Sequence, residues 1–352
     1  MTSEGSPSPQ TSSTPQQILR EHIDALLSEF SNDRDRSIAE DLLSETLGLL
    51  ADQPHSLDLK IATATITEMR DAFSMFLPYR GIPKASIFGS ARTQPHDPLW
   101  EHTRRLAARL AEDGWMVVTG AGPGIMQAGM EGAGRERSIG VSIRLPFEQG
   151  ANPVIAGDEK YVSMRYFFTR KLMLVKESSA FICLPGGFGT LDETFELLTL
   201  TQTGKGLPVP IVFLDTPGDR YWEMVHEFVQ EQLITRGFVS PGDVGFYFIT
   251  DSCEEAVAEI DRFYKNYDSI RFIGDQLVIR LRHEPTDQQL EILNTEFEDL
   301  VAKGGIRRAS AHPVEIRQGD KPDLWRISFS FARHHYSDLR AMINRLNSFV
   351  EG

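Results

Sequence analysis

The sequence predicts an α/β protein: a doubly wound parallel sheet with a helical extension before it and a small α+β module after it. Three observations carry that expectation. Between residues 84 and 250, short and nearly continuous apolar runs recur, the pattern of strands buried on both faces. Helical periods separate those runs one from the next. Glycine-bearing turns follow several of the runs, where strands of such a sheet hand over to helices.

Residues 1–14 are rich in Ser, Pro and Thr, have little to bury, and read as a disordered tail. Residues 15–80 read as a helical extension. Ile18, Ile23, Leu26 and Leu27 recur at helical spacing, then Leu42, Leu43, Leu47 and Leu50, then Ile61, Ile66, Met69, Phe73 and Phe76. Residues 81–268 form the main domain. Its strands are expected at 85–88, 115–118, 139–143, 180–184, 210–214 and 246–249, and its helices at 99–112, 125–135, 164–177, 190–201, 221–236 and 253–267. Residues 269–352 change texture again. A strand at 277–282, a helix at 287–302, strands at 314–317 and 325–331 and a helix at 336–350 give a β-α-β-β-α order with a mainly antiparallel sheet. There is no internal repeat.

Composition narrows the function. The 352 residues carry 36 Lys+Arg against 50 Asp+Glu, a net charge of −14, with 41% hydrophobic residues. Such a field disfavours non-specific binding to nucleic acid or to anionic membranes, while leaving room for a small anion held by local cations and backbone N–H groups. Two cysteines, Cys183 and Cys253, make no disulfide framework and no thiolate metal cluster. No apolar run approaches the ~20 residues that span a bilayer, and the first residues lack the pattern of a signal peptide. A cytoplasmic protein is the expectation. The nine histidines show no metal-ligand spacing, so no metal or cofactor is expected; the adjacent His334 and His335 read as a surface helix start.

Three glycine turns follow predicted strands: Phe88-Gly89-Ser90-Ala91-Arg92, Thr119-Gly120-Ala121-Gly122-Pro123-Gly124, and Pro185-Gly186-Gly187-Phe188-Gly189-Thr190. Glycine lets the backbone approach a ligand closely, and the helix N-terminus that follows offers free N–H groups to a phosphate. Each turn alone reads equally well as a tight connection. The second runs Gly-x-Gly-x-Gly rather than Gly-x-Gly-x-x-Gly, which argues against a nicotinamide site. In the helix after the third turn, Thr190, Glu193 and Glu196 share a face and Asp192 points elsewhere. With that helix starting at residue 190, Glu193 falls in its first turn, where the dipole favours an ionised carboxylate. Such a group suits a base, a hydroxyl anchor or a stabiliser of positive charge; it equally suits a glutamate that merely complements the dipole. Arg170 and Lys171 are about 100° apart on their helix, and read alone they are a solvated basic face.

Taken together, these motifs resemble the LOG ("Lonely guy") family, many of whose members carry the label "lysine decarboxylase-like". Residues 185–193 match the family's Pro-Gly-Gly-x-Gly-Thr-x-x-Glu signature. Residues 88–92, Gly122-Pro123-Gly124-Ile125-Met126, Leu145-Pro146-Phe147-Glu148-Gln149 with Asn152-Pro153, and Arg170-Lys171 add to it, covering residues 84–215 of one Rossmann-like domain. The resemblance implies hydrolysis of the N-glycosidic bond of a nucleoside 5′-monophosphate, with AMP or a cytokinin riboside monophosphate as substrate. It implies Glu193 and Arg170 as the catalytic pair. Residues Gly186, Gly187, Gly189 and Thr190 would hold the phosphate, while Gly89, Ser90, Gly122, Gly124, Met164 and Lys171 complete the substrate-binding set. It also implies a homodimer or higher homo-oligomer. Gln127 and Ser163 stand where many relatives carry acids, departures that bear on base preference rather than on reaction type.

Glycoside cleavage passes through an oxocarbenium-like transition state, which an ionised Glu193 near the ribose can stabilise. Amino-acid decarboxylation normally needs pyridoxal phosphate on a lysine, and no such pattern surrounds Lys171. A second reading is a nucleotide sensor that binds without turnover, with the C-terminal module as its output. Retention of both Glu193 and Arg170 favours catalysis.

Overall fold

A computed structural model of the chain describes residues 15–145 and 150–350. The expected tail at 1–14 and residues 146–149 of the Leu-Pro-Phe-Glu-Gln motif lie outside the described residues. The chain divides into two compact units, one ending at Ala64 and one beginning at Thr65.

The first unit holds α1 (Pro15–Ser28), α2 (Asp33–Ala51) and the start of α3 (Ser56–Phe76). Asn32 opens α2 by accepting the Asp35 N–H at 2.8 Å, and Asp33 and Asp35 face the positive end of the helix. No residue of α2 is buried, and Leu42, Leu47 and Leu50 remain exposed.

The second unit begins within α3, whose last turns bury Ala72, Met75 and Phe76. It then alternates β1 (Lys84–Phe88), α4 (Pro98–Glu112), β2 (Met116–Thr119), α5 (Ile125–Ala133), β3 (Ser138–Ile143), β4 (Tyr161–Met164), α6 (Phe167–Glu177), β5 (Ala180–Cys183), α7 (Phe188–Gln202), β6 (Ile211–Leu214), α8 (Tyr221–Phe228), β7 (Tyr247–Thr250) and α9 (Cys253–Phe263). The strands form one sheet in the order β4-β3-β2-β1-β5-β6-β7, with every pairing parallel. Side chains alternate between two cores, as the two-residue period of a strand requires. Ala85, Ile87, Val117, Ile182 and Val212 face α4, α5 and α9. Phe88, Met116, Val118, Phe181 and Phe213 face the end of α3 together with α6, α7 and α8. This is the expected Rossmann-like sheet. Strand order reverses between β1 and β5, so the ligand crevice of such a fold opens at their carboxyl ends.

The same unit continues into a four-stranded antiparallel sheet, order β10-β11-β9-β8, built from β8 (Tyr267–Ile273), β9 (Gln276–Leu281), β10 (Val301–Arg308) and β11 (Trp325–Phe331). The helices α10 (Asp287–Glu296) and α12 (Tyr336–Ser348) cover one face, enclosing Leu277, Ile279, Ile327, Phe329, Leu293, Met342 and Ile343. The order is therefore β-β-α-β-α-β-α, with a short α11 (Pro313–Gln318) between the last two strands.

Four expectations need correction. Residues 161–164 are a strand, and the helix expected from 164 begins at Phe167; three of the four strand residues are only half-buried, so the sheet's edge carries no continuous apolar run. The helix expected to reach 267 stops at Phe263, and Tyr267 opens β8. The helix expected over 287–302 ends at Glu296, and β10 begins at Val301 with Gly304 at φ +75° breaking its pattern. The strand expected at 314–317 is the helix α11. Its Val-Glu-Ile-Arg alternation was misleading, because Glu315 is fully buried while Ile316 is exposed, and Pro313 with a His312–Glu315 capping box starts a helix.

Candidate active site

The turns that end β1, β2 and β5 are stitched together through one residue. Ser90 donates its backbone N–H to the Pro185 carbonyl at 3.2 Å, and its own carbonyl accepts the Ile125 N–H at 3.0 Å. Glycine is required where these turns meet. A Cβ on Gly124, which sits at φ +69°, would lie 2.3 Å from the Ser90 carbonyl oxygen, and one on Gly186 would lie 2.1 Å from Thr190 Oγ1. Ala121 adopts φ +59° in the second turn, which Asn152 braces by donating its side-chain amide to the Gly122 carbonyl at 3.1 Å.

These turns border a cleft of about 1020 Å³ at the carboxyl edge of the sheet. Gly89, Ser90, Gly122, Gly186, Gly187, Gly189, Thr190, Arg170 and Glu193 line it, so most of the expected site residues come together. Three do not line it. Gly124 lies just behind the wall, making the loop contact described above. Met164 is buried in the core at the end of β4, and Lys171 turns to α7, where its ammonium pairs with Asp192 at 2.8 Å and Glu196 at 2.6 Å.

Arg170, on α6, reaches across to α7 and pairs directly with Glu193. Neither Arg170 nor Lys171 forms the solvated face that the basic pair suggested by itself. Arg170 also lies over the Phe167 ring, 5.2 Å from its centre, and its buried Nε has no hydrogen-bond partner among the described residues.

The electrostatics of Glu193 differ from the expectation. The helix starts at Phe188, two residues earlier than expected, so Glu193 lies beyond the first turn where the dipole acts. Burial is the largest influence and pushes its carboxyl above the ordinary range; Arg170 and Lys171 pull it back, and Glu196 and Asp192 push it further up. Cys183, at the end of β5, is driven by burial to about 12 and stays a thiol.

Several residues in the cleft wall or behind it carry no signal in the sequence. Tyr221, the first residue of α8, donates its hydroxyl to the Gly186 carbonyl at 2.7 Å. The buried Asp215 at the end of β6 starts that helix by accepting the Trp222 N–H at 3.0 Å; burial lifts its carboxyl to about 6. Ser142 and Tyr161 hydrogen-bond at 2.8 Å on the opposite wall. Phe188, 92% exposed, stands at the rim. Among the described residues, the charged ones of the lining are Arg92, Arg144, Arg170 and Glu193, a cationic excess inside a strongly acidic chain.

Residues 124–260 match the family model described as "Possible lysine decarboxylase". The probable cytokinin riboside 5′-monophosphate phosphoribohydrolase LOGL3 of Oryza sativa subsp. japonica is 30% identical over 101 residues, 29% of this chain and 46% of its own. The α/β domain is thus similar in sequence to LOG-family proteins. LOG1 of Arabidopsis thaliana, a cytokinin riboside 5′-monophosphate phosphoribohydrolase, is 31% identical over 101 residues, 29% of this chain and 46% of its own. LOG7 of the same plant, with the same description, is 30% identical over 118 residues, 33% and 52% of the two chains. The LOG-like match thus spans about half the length of these curated relatives. Among solved structures, the molybdenum cofactor carrier protein of Chlamydomonas reinhardtii is 18% identical and aligns 51% of this chain with 97% of its own at a TM-score of 0.35. The molybdenum cofactor binding protein of Rippkaea orientalis is also 18% identical, over 51% and 96%, at 0.34. No helix among the described residues is long and apolar enough to cross a membrane.

Proposed function

We propose that this protein hydrolyses the N-glycosidic bond of a nucleoside 5′-monophosphate, releasing the free base and ribose 5-phosphate. The observation that carries the reading is the Arg170–Glu193 pair, set in the cleft beside the glycine turn at the start of α7. The N-terminus of α7 and the backbone of residues 186–190 suit the 5′-phosphate, and the cationic lining suits a dianionic substrate. Binding energy from that remote group positions the ribose over Glu193. An ionised Glu193 then stabilises the oxocarbenium-like transition state and orients the attacking water, while Arg170 holds the carboxylate in place or meets developing negative charge. The LOG relatives' descriptions favour a cytokinin riboside monophosphate as substrate, and the family resemblance of the sequence motifs adds AMP as the alternative. The reading extends to a cytoplasmic homo-oligomer that binds no nucleic acid.

Decarboxylation of lysine finds no support in the side chains. Lys171 is held between two carboxylates on α7, and Asp192 and Glu196 raise its pKa against the effect of burial, the opposite of what a Schiff-base lysine needs.

Product analysis tests the proposal. Wild type and Glu193→Ala are incubated with AMP, GMP, IMP, CMP, UMP and a cytokinin ribotide, then assayed for free base and ribose 5-phosphate. Release that disappears in the variant is the expected result. Binding without release from any nucleotide overturns the hydrolase and leaves the sensor.

A further inference from the structure

Arg170 has few contacts of its own that could fix its position. Among the described residues its Nε has no hydrogen-bond partner, and its guanidinium lies over the Phe167 ring and pairs with Glu193. Its placement is therefore inherited from the backbone of α6. That helix starts without local help: Tyr166, its N-cap residue, makes no side-chain cap, and its first turn holds no acid. The missing anion comes from α3, outside the segment that matches the family model. Glu68 is buried, accepts the Arg165 backbone N–H on Oε1 at 2.7 Å, and accepts the Thr169 hydroxyl on Oε2 at 2.7 Å. The same hydroxyl also reaches the Tyr166 carbonyl at 2.8 Å. Both carboxylate oxygens are thus directed at the start of α6, where a negative charge complements the helix dipole. Thr169 is the residue immediately before Arg170.

We propose that Glu68 is a positioning residue: by fixing the first turn of α6 it holds Arg170 against Glu193. The inference rests on the hydrolase reading above. A displacement of α6 of even an ångström would carry the guanidinium away from the carboxylate, and misplacements of that size cost up to about 100-fold in rate.

Full-length Glu68→Ala, Glu68→Gln and Thr169→Val are compared with wild type in three measurements: steady-state kinetics of base release from AMP, the pH profile of kcat, and amide hydrogen exchange across residues 165–171. In Glu68→Ala, kcat falls roughly 10- to 100-fold while KM stays within about twofold. The acid limb of kcat moves to higher pH. Glu193 loses the pull of Arg170 and part of that of Lys171, which moves with the same helix, whereas Asp192 and Glu196 on α7 and the protonated Cys183 on β5 face it as before. Exchange across 165–171 accelerates. Glu68→Gln keeps one acceptor and recovers much of the rate.

A folded Glu68→Ala protein whose acid limb and exchange match wild type overturns the proposal, even where total activity is lower. Should Glu68→Ala fail to fold, Thr169→Val must show the same limb shift in smaller measure, and an unshifted limb there overturns it equally. If wild type releases no base at all, the hydrolase reading fails separately. The exchange data then decide alone: faster exchange supports Glu68 as the anchor of α6, and equal exchange removes it.

Discussion

Arg170 on α6 and Glu193 on α7 form a direct ion pair in the cleft wall, with 14% and 8% of their side chains exposed. Burial raises the Glu193 carboxyl and Arg170 opposes that rise. The proposed reaction needs the ionised carboxylate. Its rate is therefore full above the raised pKa and falls as pH drops through it, at a higher pH than the ordinary glutamate value of 4.5. Removing the cation by Arg170→Ala shifts this limb further up and lowers kcat by about 100-fold or more. Profiles of kcat for both proteins check this; a wild-type limb at or below the ordinary value refutes it.

The parallel sheet was legible because its strands are buried on both faces: Ile182, Val212 and their neighbours leave continuous apolar runs. The glycine turns were legible for a related reason, since close backbone approach forces the residue type, whereas Glu193 stood out only through the signature that resembles the LOG family. What the sequence hid lies at edges and across space. The edge strand β4 is half-exposed and shows no run, and in β10 only Val301 and Ala302 fell within the expected helix while Lys303, two glycines and Arg307 leave no apolar run. Lys171 and Arg170 look alike in sequence, yet only Arg170 lines the cleft; which one does so depends on how α6 is rotated against α7. Tyr221 carries no motif at all. Its role follows from a carbonyl 35 residues away.

That contact gives a specific expectation. Tyr221→Phe removes the hydroxyl that Gly186 accepts, at a cost of about 1 kcal/mol in stability. The turn of residues 186–190 then loses its brace from α8, so KM for the nucleotide rises several-fold, roughly the effect of one hydrogen bond, while kcat changes little. Urea unfolding and steady-state kinetics separate the two effects. A fall in kcat with KM unchanged would place Tyr221 at the reacting bond instead.

The glycines of the site divide into two classes. Gly124→Ala brings a Cβ against the Ser90 carbonyl in a backbone at positive φ, with the Ala91 carbonyl carbon 2.6 Å away. A loss of about 2 to 4 kcal/mol is expected, with nucleotide binding lost alongside as the stitched turns part. Gly187 has nothing within 4 Å of a built Cβ and an ordinary φ of −89°. Gly187→Ala is therefore expected to fold with at least wild-type stability, and to weaken binding only through a methyl projecting into the cleft. Chemical denaturation and nucleotide titration of the pair test the distinction. Equal destabilisation would mean that the open space beside Gly187 is closed in solution.

The C-terminal module carries a buried charge cluster that the reading of residues 314–317 as a strand concealed. Glu315 is fully buried; Arg280 donates to it at 2.6 and 3.0 Å, and Arg326 lies 3.3 Å away. Arg280 also pairs with Asp320. Glu315→Ala leaves two buried guanidinium groups without their shared partner, and a loss of about 3 to 5 kcal/mol is expected. Burial by itself would raise the Glu315 carboxyl, but the His312 N–H, Arg280 and Arg326 outweigh it and hold the group below the ordinary range. A carboxyl depressed in the folded state stabilises above its unfolded pKa, and that contribution disappears as pH falls through the folded value. Wild type therefore loses stability on acidification below the ordinary carboxylate range, and Glu315→Gln loses less over the same interval because its side chain does not titrate. Urea midpoints measured for both proteins across that interval decide the matter. Parallel pH dependences would show that Glu315 is not a source of the acid sensitivity.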